Sequence, residues 1–425
     1  MREVRCEVLV IGAGPAGVVA ATSAAAQGAH VCLIDMQAEP GGQIWRGEWS
    51  KPSDAKAQTW FTRLRESQVH CEFSARVVDF PQPGEVLAGG FAGPLRLHYQ
   101  KVIVATGARE RQLPFPGWTL PGVCAAGGLQ VMVKDGLSIA GKRVVVAGSG
   151  PLLLAAAATL KSRGAQVLCI AEQTTRRARL YSAIGLMASP AHLHQAAGLL
   201  WTLRGIPKPT HAWPLRAEGD TRLRKVVLQT GSRQQTIECD WLAVGFGLIP
   251  NLDVASALGC HIVNGVVSVD ADQRSSVDDV FAVGESTGIG GVDQAIAQGI
   301  IAAHAVVANA CPQRYRNQRD RASRFARRLD RCFQLRPALR EMAAGGDTLI
   351  CRCENVSAAA VAECRSAREA RLYTRLGMGW CQGRICGPAV EFLHGWSVPS
   401  PRPPLAPLPI GHISPSVHSS TRQES

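Results

Sequence analysis

The stretch Val8-Leu9-Val10-Ile11-Gly12-Ala13-Gly14-Pro15-Ala16-Gly17 decides the fold and lies near the start of the 425-residue chain. Its four apolar residues predict a buried strand, its glycines a tight turn, and the alanine-rich run to Ala26 a helix. A Gly-x-Gly-x-x-Gly turn between a strand and a helix is the fingerprint of a dinucleotide-binding unit. The pattern therefore predicts an α/β protein with a Rossmann-like domain.

This first glycine turn is predicted to hold a pyrophosphate. Gly12 makes the turn, Gly14 lets the backbone approach the phosphates, and Gly17 permits close packing of helix on strand. The helix N-terminus adds the positive end of its dipole. Asp35 ends the next predicted strand, where its carboxylate can accept hydrogen bonds from a ribose. The candidate ligands in this turn are Gly12, Gly14, Pro15, Ala16 and Gly17.

Three later segments favour FAD over NAD as the dinucleotide. Residues 39–45 lie where two-dinucleotide flavoproteins bring the chain back towards the flavin. Residues 101–108 and 280–285 resemble strand-to-turn elements that the same proteins place near FAD, with Glu285 where aspartate is commoner. All the elements occur in the order of those flavoproteins, so we predict an FAD site. The additional candidate ligands are Gly42, Gln43, Ala105, Thr106, Gly107, Gly284 and Glu285.

A second glycine turn, Gly148-Ser149-Gly150-Pro151-Leu152-Leu153, predicts an inserted nucleotide-type domain. It follows an apolar strand, and the next predicted strand ends at Glu172. Leu153 replaces the third glycine, and we expect its side chain to hold the helix off the strand and to crowd the pyrophosphate side. Gly148 and Gly150 are candidate ligands of a second adenine nucleotide, ATP or NAD(P); a vestigial pocket is the alternative.

Four cysteines near the C-terminal end form the candidate metal site. Cys351 and Cys353 form one close pair, and Cys381 and Cys386 form another that is framed by glycines. Deprotonated thiols in two pairs can hold the two irons of a [2Fe–2S] cluster. Structural zinc is the main alternative, although the single residue between Cys351 and Cys353 is poor for a zinc site. Unrelated core cysteines are the remaining alternative.

Composition narrows the class of protein. The net charge is +13, but its densest stretch, residues 314–340, is predicted to be a solvated or protein-docking helix, and we expect no nucleic-acid partner. No apolar run approaches the length of a membrane span. Fourteen cysteines, and a chain that runs from Met1 directly into a strand, predict a cytoplasmic protein without a targeting segment. Peripheral membrane association through partners stays open.

The order of the motifs predicts five segments. They are a discontinuous FAD-binding domain at 1–110 and 245–310, an inserted NAD(P)-type domain at 111–244, a basic helical linker at 311–347, a small helical [2Fe–2S] domain at 348–395, and a Pro/Ser-rich tail at 396–425. We find no redox cysteine pair at a flavin-facing position, because Cys124 has no C-x-x-C partner. Electrons are therefore expected to leave the flavin through the cluster.

Together, the two glycine turns, Gly41-Gly42-Gln43-Ile44-Trp45, Cys351-Arg352-Cys353-Glu354 and residues 374–386 resemble a known family. It comprises the alpha-type FAD/[2Fe–2S] subunits of opine oxidases (octopine and nopaline type), hydrogen cyanide synthase, and related D-amino-acid, proline and hydroxyproline dehydrogenases. The cysteine region is similar to the bacterioferritin-associated ferredoxin domain.

The resemblance implies an electron-transfer subunit that works beside a smaller oxidase-type flavoprotein subunit, with a downstream electron acceptor and room for a further small subunit. Arg352, Arg375 and Arg384 are then expected to stabilise the reduced cluster. We predict no catalytic residue, because no substrate clamp or general base is tied to a flavin-facing position. Two alternatives remain: a self-sufficient NAD(P)H-dependent reductase that feeds a protein acceptor, and a non-catalytic scaffold.

Overall fold

The computed structural model describes residues 1–90, 92–178, 190–343, 345–397 and 402–409. They form two compact units. The first unit contains Met1–Arg109, Pro250–Arg324 and residues 402–409. The second contains Glu110–Ile249 and the described residues from Phe325 to 397, so it combines the nucleotide-type insert with the cysteine region.

A parallel five-stranded sheet forms the centre of the first unit, and all of its strands except the edge strand His70–Glu72 are short, mostly apolar runs because both faces are buried. In spatial order the strands are Val280–Ala282, Lys101–Val104, Val8–Ile11, Val31–Ile34 and His70–Glu72. Val10 lies opposite Leu33 on one side and Ile103 on the other. The fingerprint strand is therefore central, and its carboxyl end opens into the first glycine turn.

The remaining elements of the first unit surround this sheet. A mixed four-stranded sheet has the order Arg2–Arg5, Gly93–His98, Glu85–Gly90 and Ala75–Asp79, and Ile262–Val263 pairs with Val266–Val267. The helices are Pro15–Ala25, Ala55–Glu66, Asp253–Ala257, Gly291–Val306 and the short 3₁₀ turn Gly284–Thr287. Leu405 from the predicted tail is buried here, and its N–H donates to Val78 O at 2.7 Å.

The second unit contains a parallel four-stranded sheet and a three-stranded antiparallel sheet. Their strands are, in spatial order, Val123–Ala125, Trp241–Phe246, Arg143–Ser149 and Gln166–Glu172, and then Ala212–Glu218, Lys225–Thr230 and Arg233–Glu238. The helices are Ala126–Lys134, Leu152–Ser162 and Pro190–Thr202. The alanine-, leucine- and histidine-rich stretch 180–204, whose composition predicts extra helices, lies partly outside the described residues.

The cysteine region is small and has its own apolar cluster around Ile350, Val361 and Val390. Its elements are the strands Leu349–Cys351 and Val356–Ser357, the helices Ala367–Thr374 and Cys386–His394, and the 3₁₀ turns Pro337–Ala343 and Ala359–Val361. The basic helix Gln313–Cys332 precedes it and contains residues of both units. Strands Ala108–Glu110 and Leu248–Pro250 lie where the chain passes between the units.

The predicted α/β fold with two nucleotide-type units is confirmed. None of the helices within the described residues is both long and apolar enough to cross a membrane. None of the fourteen cysteines forms a disulfide bond.

Candidate functional site

The first glycine turn is shaped by two close backbone approaches. Gly12 has φ +110°, and a Cβ there would lie 2.4 Å from the carbonyl oxygen of Ala105. A Cβ on Gly17 would lie 1.7 Å from the carbonyl oxygen of Gly12. Both separations are far below van der Waals contact, so only glycine fits at these two positions. The turn and the close helix packing predicted for them are both present.

Gly14 differs, because no protein atom limits its side chain. A Cβ at this position would meet nothing within 4 Å, and the residue is the N-cap of the helix Pro15–Ala25. The space beside Gly14 is therefore open at the N-terminus of the helix, where a phosphate can approach the backbone. This opening fits the predicted pyrophosphate of FAD.

Asp35 lies beside the same turn and is held by the backbone. Its carboxylate accepts hydrogen bonds from Ala13 N–H at 2.5 Å and from Gln37 N–H at 2.7 Å. Burial raises the pKa of Asp35, although these two bonds oppose the rise. The side chain is therefore fixed next to the turn, where the sequence predicts a contact with ribose.

The chain segments that contain the other predicted FAD ligands approach the first turn. Gly41 N–H donates to Ala13 O at 2.7 Å, and a Cβ on Gly42 would lie 3.0 Å from the Gly14 Cα. A Cβ on Gly284 would lie 2.8 Å from the Ala16 Cβ. The structure thus brings together the chain segments that contain Gly12, Gly42, Ala105 and Gly284. Gln43 is exposed.

Thr106 and Glu285 lie in the segments that border the turn. Thr106 Oγ1 donates to Asn251 O at 2.7 Å, and the Asn251 amide donates back to Thr106 O at 2.9 Å, next to Gly107. Burial raises the pKa of Glu285, and no hydrogen bond joins its carboxylate to any residue that the structure describes. A half-buried carboxylate of this kind can accept hydrogen bonds from ligand hydroxyl groups.

Gln298 and Asn251 support this site, and the sequence analysis did not identify them. Gln298 Oε1 accepts a hydrogen bond from Gly284 N–H at 2.7 Å and so fixes the turn before Glu285. Asn251 fixes Thr106 in a similar way. Neither residue belongs to a recognisable motif, so no local sequence signal points to it.

The second glycine turn keeps its backbone form, but the expected crowding of the pyrophosphate side by Leu153 is wrong. Gly148 and Gly150 have φ values of +140° and +98°. Leu153 is 1% exposed and packs in the apolar core, where its Cδ2 would lie 3.2 Å from a Cβ on Gly245. Because Leu153 points into the core, it does not crowd the pyrophosphate side. Gly245 on the facing strand has no side chain, which leaves room for Leu153 in the core.

The four candidate metal ligands lie together and form a chain of interacting thiols. Cys351 interacts with Cys386, Cys386 with Cys381, and Cys381 with Cys353. The interaction with Cys386 lowers the pKa of Cys351 to about 6 and that of Cys381 to about 4, and raises the pKa of Cys386 in return. The Cys381 backbone N–H lowers the pKa of Cys353, but burial and the Cys381 thiol outweigh it. The pKa values of Cys351 and Cys381 are therefore shifted towards the thiolate form.

Two glycines and an ion pair hold the cysteine loops together. A Cβ on Gly379 would lie 2.6 Å from the Cys353 Cβ, and one on Gly377 would lie 3.6 Å from the Cys386 sulfur. The Arg375 guanidinium donates to the Glu354 carboxylate at 2.7 Å. The two predicted pairs therefore come from loops that touch. The positive charge of Arg375 is paired with the Glu354 carboxylate, while Arg352 is exposed.

The four sulfurs do not form a preformed site for a single metal ion. No group of three or more His, Cys, Asp or Glu side chains in the described part of the chain is placed to hold one metal ion. Structural zinc requires four ligands around a single ion. In a [2Fe–2S] cluster each of two irons takes only two of the four protein sulfurs.

Cys124 is not part of this group and lacks the properties of a redox thiol. Burial raises its pKa to about 11, although the Arg352 charge opposes the rise. A thiol with this pKa stays protonated and unreactive near neutral pH.

The fold and the first turn define the class of the protein as an FAD-dependent oxidoreductase. The family described as pyridine nucleotide-disulphide oxidoreductase matches residues 6–299, more than two thirds of the chain. The chain belongs to this family.

Relatives of nearly the same length confirm the resemblance drawn from the motifs. The A subunit of opine oxidase from Rhizobium meliloti (strain 1021) is 32% identical, over 96% of this chain and 98% of its own length. Hydrogen cyanide synthase subunit HcnB of Pseudomonas aeruginosa is 30% identical, over 95% of this chain and 97% of its own. Both alignments extend through the cysteine region.

Solved structures share the fold at lower identity. L-proline dehydrogenase from P. horikoshii superposes with a TM-score of 0.66 at 18% identity, covering 97% of this chain and 80% of that one. Thioredoxin reductase from T. acidophilum gives 0.56 at 22% identity over 72% of this chain and 98% of its own.

Proposed function

We propose that the chain is the FAD- and [2Fe–2S]-containing electron-transfer subunit of a heteromeric dehydrogenase or oxidase. The proposed donors are CH–NH compounds: amines, opines or D-amino acids, including proline and hydroxyproline types. Relatives that cover nearly the whole chain are named as subunits, which supports a heteromer. The proposed partner is a smaller oxidase-type flavoprotein subunit, with a downstream acceptor and a further small subunit as additional components, in the cytoplasm.

The observation that carries this proposal is the chain of four thiols in a protein of an FAD-dependent family. The thiolate is the form of cysteine that binds metal, and Cys351 and Cys381 already favour it without a metal. Glycines with positive φ or close contacts, Gly377, Gly379 and Gly383, let the two cysteine loops approach each other. Packing of the four thiols in a core, without a metal, would not require ionised thiols.

Within this function the chain supplies binding and electrostatics, and the cofactors supply the redox chemistry. FAD converts a two-electron input into single electrons, and a [2Fe–2S] cluster accepts them one at a time. The first turn would hold the pyrophosphate at Gly14, and Asp35 and Glu285 would hold hydroxyl groups. The four cysteines would hold the irons, and the exposed Arg352 would stabilise the added negative charge.

Metal and cofactor analysis of the purified protein tests the assignment. We expect one FAD and, as for any [2Fe–2S] centre, two irons and two acid-labile sulfides per chain. Reduction with dithionite is expected to produce the paramagnetic signal of a reduced cluster. Zinc at one atom per chain, with neither iron nor sulfide, would contradict the proposal.

A second candidate is an NAD(P)H-dependent reductase that feeds a protein acceptor. Its support is the second glycine turn, because Gly148 and Gly150 retain the backbone conformation of a nucleotide-binding turn. Stopped-flow mixing with NADH or NADPH separates the candidates. Bleaching of the flavin within seconds favours the reductase, and an unchanged flavin spectrum favours the electron-transfer role. The scaffold alternative is favoured by a cluster that dithionite cannot reduce.

Gly379→Ala is expected to lower the iron and sulfide content while leaving FAD bound. The new methyl group would lie 2.6 Å from the Cys353 Cβ, so the two cysteine loops must separate. Gly346→Ala is the matched control, since its methyl group meets only the Ala359 Cβ at an ordinary 3.5 Å. Full iron content in Gly379→Ala would show that the loop contact is not needed for the cluster.

A further inference from the structure

We propose that the second glycine turn holds the chain's own residues 333–336, here called the strap, in the place of a nucleotide. The description of the family to which the chain belongs names a pyridine nucleotide. The residues around the second turn, however, do not fit such a nucleotide. The disagreement does not arise from Leu153, which lies in the core. It arises from hydrogen bonds that the turn makes to a segment almost two hundred positions further along the chain.

The strap lies against Ser149 and Gly150 of the turn. Ser149 Oγ donates to Phe333 O at 2.9 Å. The atom nearest to a Cβ on Gly150 is Phe333 Cγ, at 4.0 Å. Gly150 is the glycine that must be open for a pyrophosphate to approach. The equivalent Gly14 of the first turn meets nothing within the same distance and is half-buried, whereas Gly150 is buried.

Gln173 holds the strap through side-chain hydrogen bonds. Its side chain is fully buried and directs all of its described hydrogen bonds to the turn and the strap. The amide nitrogen donates to Ser149 Oγ and to Gln334 O, both at 3.0 Å, and the amide oxygen accepts from Arg336 N–H at 3.4 Å. A buried amide left without these partners would be costly. A nucleotide that displaced the strap would have to replace every one of them.

The acidic residue of the second turn does not explain the difference. Glu172 accepts from Gly150 N–H at 2.8 Å and from Thr174 N–H at 3.1 Å. Asp35 makes a comparable bond in the first turn, which is open, but its donor is Ala13 N–H, the position of Ser149 and not of Gly150. An acid–turn bond is therefore present in both turns, whereas among the described residues a strap lies only at the second turn.

The strap is also anchored at its C-terminal end. It continues directly into the 3₁₀ turn Pro337–Ala343, whose Leu339 and Met342 are buried in the apolar core of the second unit. The cysteine strand Leu349–Cys351 follows within a few residues. The strap thus closes the nucleotide site and fixes the start of the cysteine region. This inference is independent of the proposed function, because it concerns only hydrogen bonds within the chain.

Calorimetry and hydrogen exchange test the strap. Wild-type protein is expected to show no binding of NADH or NADPH at millimolar concentration. Gln173→Ala removes three hydrogen bonds, and amide exchange in a peptide that covers residues 333–336 is expected to rise at least about tenfold, which corresponds to about 1.4 kcal/mol. Ser149→Ala removes fewer bonds and is the second variant if Gln173→Ala does not fold.

Gln229→Ala is the matched control, because it loses a hydrogen bond to Gly231 O at 2.7 Å in the same unit but away from the strap. Its strap peptide is expected to exchange at the wild-type rate. Two results would overturn the inference. One is a dissociation constant below about 1 mM for either nucleotide in the wild type. The other is unchanged strap exchange in the folded glutamine or serine variant.

Discussion

Gly14→Val is expected to give a folded protein that has lost its FAD. The residue has φ −71° and ψ −178°, an extended conformation that valine adopts readily, and a Cβ there meets no protein atom within 4 Å. The branched side chain would instead fill the opening in front of the helix N-terminus. We expect FAD per chain to fall at least about tenfold, measured from flavin absorbance after gel filtration.

Gly198→Val is the matched control for this experiment. Gly198 also lacks a positive φ and has nothing within 4 Å of a Cβ, but it lies in the helix Pro190–Thr202 away from the first turn. It is expected to keep its FAD. Far-UV circular dichroism should be the same for both variants. A yellow Gly14→Val protein with wild-type FAD content would refute the assignment of this turn.

The first turn could be predicted from the sequence because its geometry is local. Strand, turn and helix occupy ten consecutive residues, and each glycine has one steric reason that can be written down before the structure is known. In the structure, Gly12 and Gly17 make close backbone approaches, and a Cβ on Gly14 would lie in open space. Gln298 supports the same site from a helix that is distant in sequence, and no sequence pattern indicates this role of Gln298.

The second turn shows where this kind of reasoning fails. Leu153 was expected to crowd a phosphate, on the assumption that a side chain at this position faces the ligand. The facing strand contains Gly245, so Leu153 has room in the core instead. The residues that do approach the turn, Phe333 and Gln334, are separated from it by more than 150 positions. Their pairing depends on tertiary structure and leaves no local signal.

The cysteine region could be predicted from the sequence only in part. Spacing predicts two pairs, and the structure brings both pairs together. Spacing does not predict that Cys386 and Cys381 occupy the middle of the chain of interacting thiols, with Cys351 and Cys353 at its ends. That order follows from the fold, because Cys386 begins a helix that packs beside the strand ending at Cys351.

Cys381→Ser is expected to remove the cluster and stop electron transfer while FAD stays bound. The Cys381 thiol has the lowest pKa of the four, about 4, and interacts with both Cys386 and Cys353. Serine oxygen is a harder ligand than thiolate and is a poor substitute towards iron. Iron, labile sulfide and the paramagnetic signal should fall together. In the complex co-expressed with an oxidase-type flavoprotein subunit, dye reduction with octopine or proline as donor should fall at least about tenfold.

Cys364→Ser separates loss of the cluster from general damage to the cysteine region. Cys364 packs partly buried against the same apolar cluster as Cys351, but it takes no part in the chain of thiols. We therefore expect this variant to keep its iron and its turnover. Photoreduction of the flavin provides a readout that does not need the partner: in Cys364→Ser the cluster signal should follow, and in Cys381→Ser it should be absent. Full turnover in a Cys381→Ser complex that contains no iron would show that electrons leave the flavin by a route other than these four sulfurs.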